Sequence, residues 1–281
     1  MTAAAVCGAP PGGAAERGVP FSLVIPARFD SSRLPGKPLA DLCGKPMIQH
    51  VWERACQSQA QEVVVATDHP AVAAAAGGFG ARVCMTRSSH SSGTERLQEV
   101  AVLCGWDDQR ILVNVQGDEP LISPAFIDKV ARGLEECPEA AVATLCCPLR
   151  EPDQLFDADV VKVVTDARGR ALYFSRAPVP WDRDRFARAA RPPGTLDARD
   201  AWQRHLGLYA YRVGLLHRFV RWQPSPLEQL EKLEQLRILW QGETIHVARV
   251  ARDAATGVDT PADLERVRAL MQSPATAADT P

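Results

Sequence analysis

Short apolar runs alternate with amphipathic segments along most of this chain. Phe21–Ala27 is an apolar run that predicts a strand, and Met47–Gln59, opened by Pro46, carries the helical period. Glu62–Thr67, Ala81–Met85, Arg110–Gln116 and Ala140–Cys147 predict further buried strands, with helices near Pro70–Ala76, Thr94–Leu103 and Pro124–Glu136. Strands and helices alternating in this way imply βα units, hence an α/β fold with a mostly parallel sheet covered on both faces.

Beyond residue 150 the alternation loosens. Strand-like Val160–Thr165 and Arg170–Phe174 lead into a Pro-, Gly-, Arg- and Asp-rich stretch over 182–200, so this half reads as an inserted or appended substrate-binding lobe. A strand at Leu206–Tyr211 and a helix around Leu215–Val220 follow. One longer helix is predicted from Pro226, with leucines at 227, 230, 233, 236 and 239 and with Ser225 as its N-cap. A strand at Ile245–Val250 and a helix over Pro261–Met271 close the fold, Thr260 and Asp263 resembling a capping box that uses the shorter acid. Residues 1–20 have no hydrophobic period and predict a flexible extension; 273–281 predict a frayed tail, leaving 21–272 as one domain.

Composition adds exclusions. The 281 residues are 46% hydrophobic and 23% charged, so the chain can bury a real core and disorder is not the main state. A net charge of −2 gives no basic field for nucleic acid or an anionic membrane, so an anionic ligand must be met by locally clustered cations. No apolar stretch is long enough to cross a bilayer and residues 1–20 lack the order of a secretory signal, which predicts a cytoplasmic protein. Eight cysteines without CxxC or zinc-finger spacing predict free, mostly buried thiols in a reducing compartment.

The first βα connection places Arg28, Arg33 and Lys37 within ten residues at the carboxyl end of the first strand, where open α/β sheets bind ligands. Three such charges facing one cleft suit a triphosphate; a solvated basic loop is the plain alternative, against which stand Gly36 and the prolines that shape the backbone. Neither GxxxxGK[ST] nor GxGxxG is present, so ATP hydrolysis and dinucleotide binding lose support. In Asn114-Val-Gln-Gly-Asp118-Glu-Pro an apolar strand runs into adjacent carboxylates at its carboxyl end, a place to hold a catalytic divalent ion, and Asp118 is the first candidate ligand. A capped surface turn explains those residues equally well when they are taken alone. Ser88–Arg96 leads into a helix, offering small polar side chains and backbone N–H groups to a base edge or a phosphate, although Thr94 also reads as an ordinary N-cap.

RxxSxRLPGKPL, CMTRxxHxSGTER, NVQGDEP, ALYFSR, PWDRDR, RHLGLYAYR, WQPSPLE, LEQLR and GVDTPxDLE occur here in order. With them the chain resembles the 3-deoxy-manno-octulosonate (KDO) cytidylyltransferases from about Phe21 to Met271, outside the loosely matching 187–201 region. The resemblance implies a Rossmann-like sheet of the nucleotide-diphospho-sugar transferase type, with a nucleotide-binding part over about 21–150 and a smaller sugar-binding and dimerisation lobe over about 151–250. It implies CTP and KDO as substrates, a homodimer, and Mg2+ held by Asp118 and the distant Asp259. Asp259 by itself reads as a turn residue before a capped helix. By the same resemblance Arg28, Arg33 and Lys37 grip phosphates, and Ser92 and Gly93 lie beside the cytosine. Arg176, with the guanidinium fork suited to a sugar carboxylate, is joined by Gln116, His205, Tyr209, Glu231 and Gln235. Glu231 and Gln235 are expected one turn apart on one helix face. The competing readings are a cytidylyltransferase for another acidic sugar and a non-catalytic nucleotide-sugar binding protein.

Overall fold

The computed structural model describes residues 19–30, 34–90, 92–186, 196, 201–251 and 257–272. It divides into two compact units, one built from 1–128 with 254–281 and the other from 129–253. Along the chain run β1 (Phe21–Pro26), a 3-10 turn (Lys37–Leu39), β2 (Asp41–Leu42), β3 (Lys45–Pro46), α1 (Met47–Ala55), β4 (Glu62–Thr67), α2 (Pro70–Gly78), β5 (Arg82–Met85), α3 (Gly93–Cys104), β6 (Ile111–Asn114) and α4 (Pro124–Glu136). Then come β7 (Val142–Pro148), α5 (Pro152–Phe156), β8 (Lys162–Thr165), β9 (Ala171–Ser175), α6 (Arg183–Phe186), β10 (Gln203–Arg212), α7 (Val213–Phe219), α8 (Pro226–Glu231), α9 (Gln235–Trp240), β11 (Ile245–Arg249) and α10 (Pro261–Gln272).

In the first unit β1 pairs in parallel with β4 on one side and β6 on the other, and β4 pairs in parallel with β5. The continuous apolar runs predicted this, because a strand covered on both faces has no polar side to alternate. Leu23, Val24, Ile25, Val64, Val65, Leu112 and Val113 are fully buried or nearly so. The connection through α1 takes the chain to one side of β1 and the connection through α3 returns it to the other. That reversal opens a crevice beyond the carboxyl ends of β1 and β6. Leu42, Met47, Val258, Leu264 and Val267 form a separate apolar cluster that seats α10 and the residues before it in this unit.

In the second unit β7 pairs in parallel with β11 but antiparallel with β10, and β10, β8 and β9 continue antiparallel. Leu149, Leu155, Val160, Phe186, Leu196 and Trp202 form its smaller core cluster.

Several expectations need correction. The leucine-bearing helix from Pro226 is two helices, because Lys232 adopts a left-handed φ of 55° and ends α8. Ser225 caps α8 as expected, in a reciprocal capping box with Glu228. Thr94 is not a cap: Ser92 is, accepting from the Glu95 N–H at 3.3 Å, while Thr94 is buried within the first turn. The thiols are less buried than expected. Cys137, Cys146 and Cys147 are buried, Cys56, Cys84 and Cys104 are half-buried and Cys43 is exposed. The expected division near residue 150 lies inside the second unit.

Candidate active site

The crevice of the first unit is a cleft of about 420 Å³. The segment after β1 contributes Ala27, Arg28 and Asp30, the 3-10 turn contributes Lys37, and the segment after β6 contributes Gln116, Gly117 and Asp118. Ser92 at the N-cap of α3, Gly93 and Arg96 within it, and Asp259 from just before α10 also line it.

Each group is positioned by local chemistry. Gly36 takes a left-handed φ of 68°, open to glycine, and turns the chain so that Lys37 starts the 3-10 turn. A Cβ on Gly117 would stand 2.8 Å from the Pro26 carbonyl oxygen, so only glycine lets the Asp118 segment lie against the end of β1. The Val258 N–H donates to the Asp118 carbonyl at 2.8 Å, tying the Asp259 segment to the Asp118 segment. Asp259 is followed by a reciprocal cap: the Thr260 N–H donates to Asp263 at 2.9 Å and the Asp263 N–H to the Thr260 hydroxyl at 3.2 Å, as the sequence suggested. The Thr260 hydroxyl donating to the carboxylate at 2.8 Å, helped by the Asp259 and Thr260 N–H groups and Arg266, holds the Asp263 carboxyl down at about 2.

At the centre the Lys37 ammonium donates to Asp118 at 2.5 Å and to Asp259 at 2.9 Å. Burial opposes its charge, but the hydrogen bonds and charges of the two aspartates outweigh burial and hold its pKa above the ordinary lysine value. One positive and two negative charges leave the trio at minus one. The two carboxylates thus converge on one cation although 141 positions separate them, as their numbers show. The donor set is oxygen only, which fits a hard ion such as Mg2+, and among the described residues no group of three metal-ligating side chains gathers. Two carboxylates with phosphate oxygens and water completing the shell is the arrangement Mg2+ takes at triphosphates.

Around this centre Arg28 donates to the carbonyl of His90, whose imidazole lies 2.5 Å from Glu99. Arg96 is fully buried, pairs with Asp68 at 2.7 Å and donates to Thr86. Its Nε has no hydrogen-bond partner among the described residues. Arg96 and Asp30 carry no signal in the sequence; in the first turns of a helix capped by Ser92 an arginine reads as solvated, and only the fold shows it buried at the cleft. Arg33 lies outside the described residues.

The second unit carries the rest of the expected set. Arg176 donates to the carbonyls of Glu231 and Ala158, both at 2.7 Å, and Glu231 accepts from the Ser175 hydroxyl at 2.7 Å and the Arg176 N–H at 2.9 Å. His205 lies 3.0 Å from the Thr144 hydroxyl, edge-on to Phe174 and beside Tyr209. Burial, helped by the Arg204 charge, pushes its pKa down to about 3, and burial raises that of Tyr209. Gln235 is buried at the start of α9 and Glu231 ends α8, so the two do not share a helix face as expected. Lys162, fully buried, donates to the carbonyls of Asp157, Val160 and Arg176 at 2.8, 2.6 and 2.6 Å, fixing the backbone at Arg176.

A family model described as cytidylyltransferase matches residues 23–245. This chain belongs to the cytidylyltransferase family. Among solved structures, this cytidylyltransferase is similar to a CMP:2-keto-3-deoxy-manno-octonic acid synthetase complexed with CTP. The two share 46% identity over 90% of this chain and 98% of that one, with a TM-score of 0.80. A cytidylyltransferase from Leptospira borgpetersenii serovar Hardjo-bovis (strain JB197) shares the fold at a TM-score of 0.55, with 18% identity over 88% of this chain and 84% of that one. Among the described residues no helix is long and apolar enough to cross a membrane.

Proposed function

We propose that the protein transfers the cytidylyl group of CTP to the anomeric hydroxyl of KDO, releasing pyrophosphate and forming CMP-KDO. The observation that carries this reading is the meeting of Lys37, Asp118 and Asp259 at the crevice of a chain 46% identical, over nearly all of that protein's length, to a CMP-KDO synthetase.

Displacement at the α-phosphorus requires placement of two anionic reactants and neutralisation of charge more than it requires covalent help. Arg28 and Lys37, with Arg33, supply cations for the triphosphate. Ser92 and Gly93, at the first turn of α3, offer the base a hydroxyl and backbone N–H groups that have no partner within the helix. Asp118 and Asp259 would hold Mg2+, which supplies charge neutralisation at the phosphate oxygens. In the second unit Arg176 would supply the fork for the sugar carboxylate, and His205, Tyr209, Glu231 and Gln235 would supply hydrogen-bonding groups for its hydroxyls. His205 stays neutral at pH 7, so it meets a hydroxyl as a dipole rather than as a cation.

The same reading places the enzyme in the cytoplasm as a homodimer feeding lipopolysaccharide synthesis. Leu230 and Trp240, 81% and 56% exposed, give the second unit apolar surface for such a contact. Sedimentation at the single-chain mass would remove the dimer.

Pyrophosphate release should be followed with CTP and Mg2+ in the presence of KDO, its 8-amino analogue or N-acetylneuraminate. Release with KDO and not the others is expected, and chelation should stop it. Release only with another sugar would keep the chemistry and change the substrate. Silence with all three would overturn the reading.

A further inference from the structure

Arg82 and Cys84 are two residues apart on β5 and therefore project from the same face of the strand. Cys104, the last residue of α3, meets that face: Arg82 Nη2 donates to Cys104 Sγ at 3.6 Å, which brings the Cys104 sulfur to the side of the strand that carries Cys84. Both cysteines are half-buried, so a small solute can reach them, unlike the buried Cys137, Cys146 and Cys147.

We propose that Cys84 and Cys104 form a redox pair, with Cys104 as the thiolate that attacks a peroxide and Cys84 as the thiol that resolves the product into a disulfide. The first step breaks the O–O bond: the Cys104 thiolate displaces hydroxide from hydrogen peroxide and becomes a sulfenic acid. In the second the Cys84 sulfur attacks the Cys104 sulfur, the S–S bond forms and water leaves with the Cys84 proton. Two thiols lose two electrons, and one peroxide becomes two waters.

The surroundings favour this division of labour. The neighbouring Cys84 thiol, together with the Arg82 cation, outweighs burial and the Glu62 charge and holds the Cys104 thiol down at about 7. The Cys104 sulfur, with burial and the Glu99 charge, pushes the Cys84 thiol up against the pull of Arg82. Cys104, which Arg82 contacts, is thus the more readily ionised of the two sulfurs, and an ionised, accessible sulfur is the one peroxide oxidises. Serving neither substrate, the pair sits at the far end of α3 from Ser92 and Gly93, about 18 Å away along a 12-residue helix.

The test uses the full reduced chain, freed of reductant, exposed to hydrogen peroxide and digested with trypsin under non-reducing conditions. The expected product joins the peptide of residues 83–87 to that of residues 97–110 through one disulfide, which dithiothreitol reverses. Cys84→Ser should leave a sulfenic acid at Cys104 that dimedone traps, whereas Cys104→Ser should leave Cys84 reduced at the same dose. Both variants should turn over substrate within about twofold of wild type, since neither side chain reaches the cleft. In unoxidised protein the iodoacetamide rate at Cys104 should level off just above pH 7. Cys84 and Cys104 remaining thiols while Cys43 oxidises, or either of them linking to a different cysteine, would overturn the proposal.

Discussion

Gly117 and Asp118 show how little separates packing from chemistry at the residue scale. Gly117→Ala would press a Cβ to 2.8 Å from a backbone oxygen, an atom that cannot swing aside. The variant is expected to lose about 1–3 kcal/mol of stability in urea unfolding and to lose turnover by displacing its neighbour. Asp118→Asn keeps the volume and removes the charge, so it should melt near wild type while turnover with CTP, KDO and Mg2+ falls on the order of a hundredfold or more. An unchanged rate would remove Asp118 from the site. Asp118 and the basic loop were legible in sequence because each signal is local: a strand end followed by carboxylates, and cations around a shaped turn. Asp259 was not, since its partner Lys37 stands 222 positions away, and only the family resemblance pointed to it.

Elements were legible where a few adjacent residues decide them. Strand β4 and helix α4 fall on their expected spans, and the Ser225 cap and the Thr260–Asp263 box formed because their partners are three residues apart. The helix from Pro226 failed for the complementary reason. Its leucines keep helical spacing through residue 239, but a hydrophobic period does not register the one left-handed residue that turns the chain. Lys232 carries the cost of that conformation, about 1 kcal/mol relative to glycine. Lys232→Gly is therefore expected to raise the unfolding free energy measured in urea by up to that amount, and a fall would show that the lysine side chain contributes more than its backbone costs.

For the whole molecule, apolar runs announced buried strands but not their partners: β7 looks like its predecessors in sequence, yet it lies antiparallel to β10 and parallel to β11. Stability carries a titration signature from the same strands. His205 has its pKa lowered to about 3 in the native state against 6.5 when unfolded, so unfolding takes up a proton between those values. Its contribution is complete above pH 6.5 and is lost as pH falls toward 3. His205 keeps some exposure, so the loss is a fraction of the ~1.4 kcal/mol per pH unit that one fully buried group gives. Urea unfolding of His205→Gln between pH 6 and 4 should show a flatter acid limb than wild type; an equal slope would mean that His205 titrates normally.

Cytidylyl transfer to KDO is tested most directly by 31P NMR of the enzyme with CTP, KDO and Mg2+ in real time. The expected result is one phosphodiester signal and one pyrophosphate appearing for each CTP lost. Unchanged CTP, or CMP and pyrophosphate accumulating from the start with no phosphodiester, would contradict it.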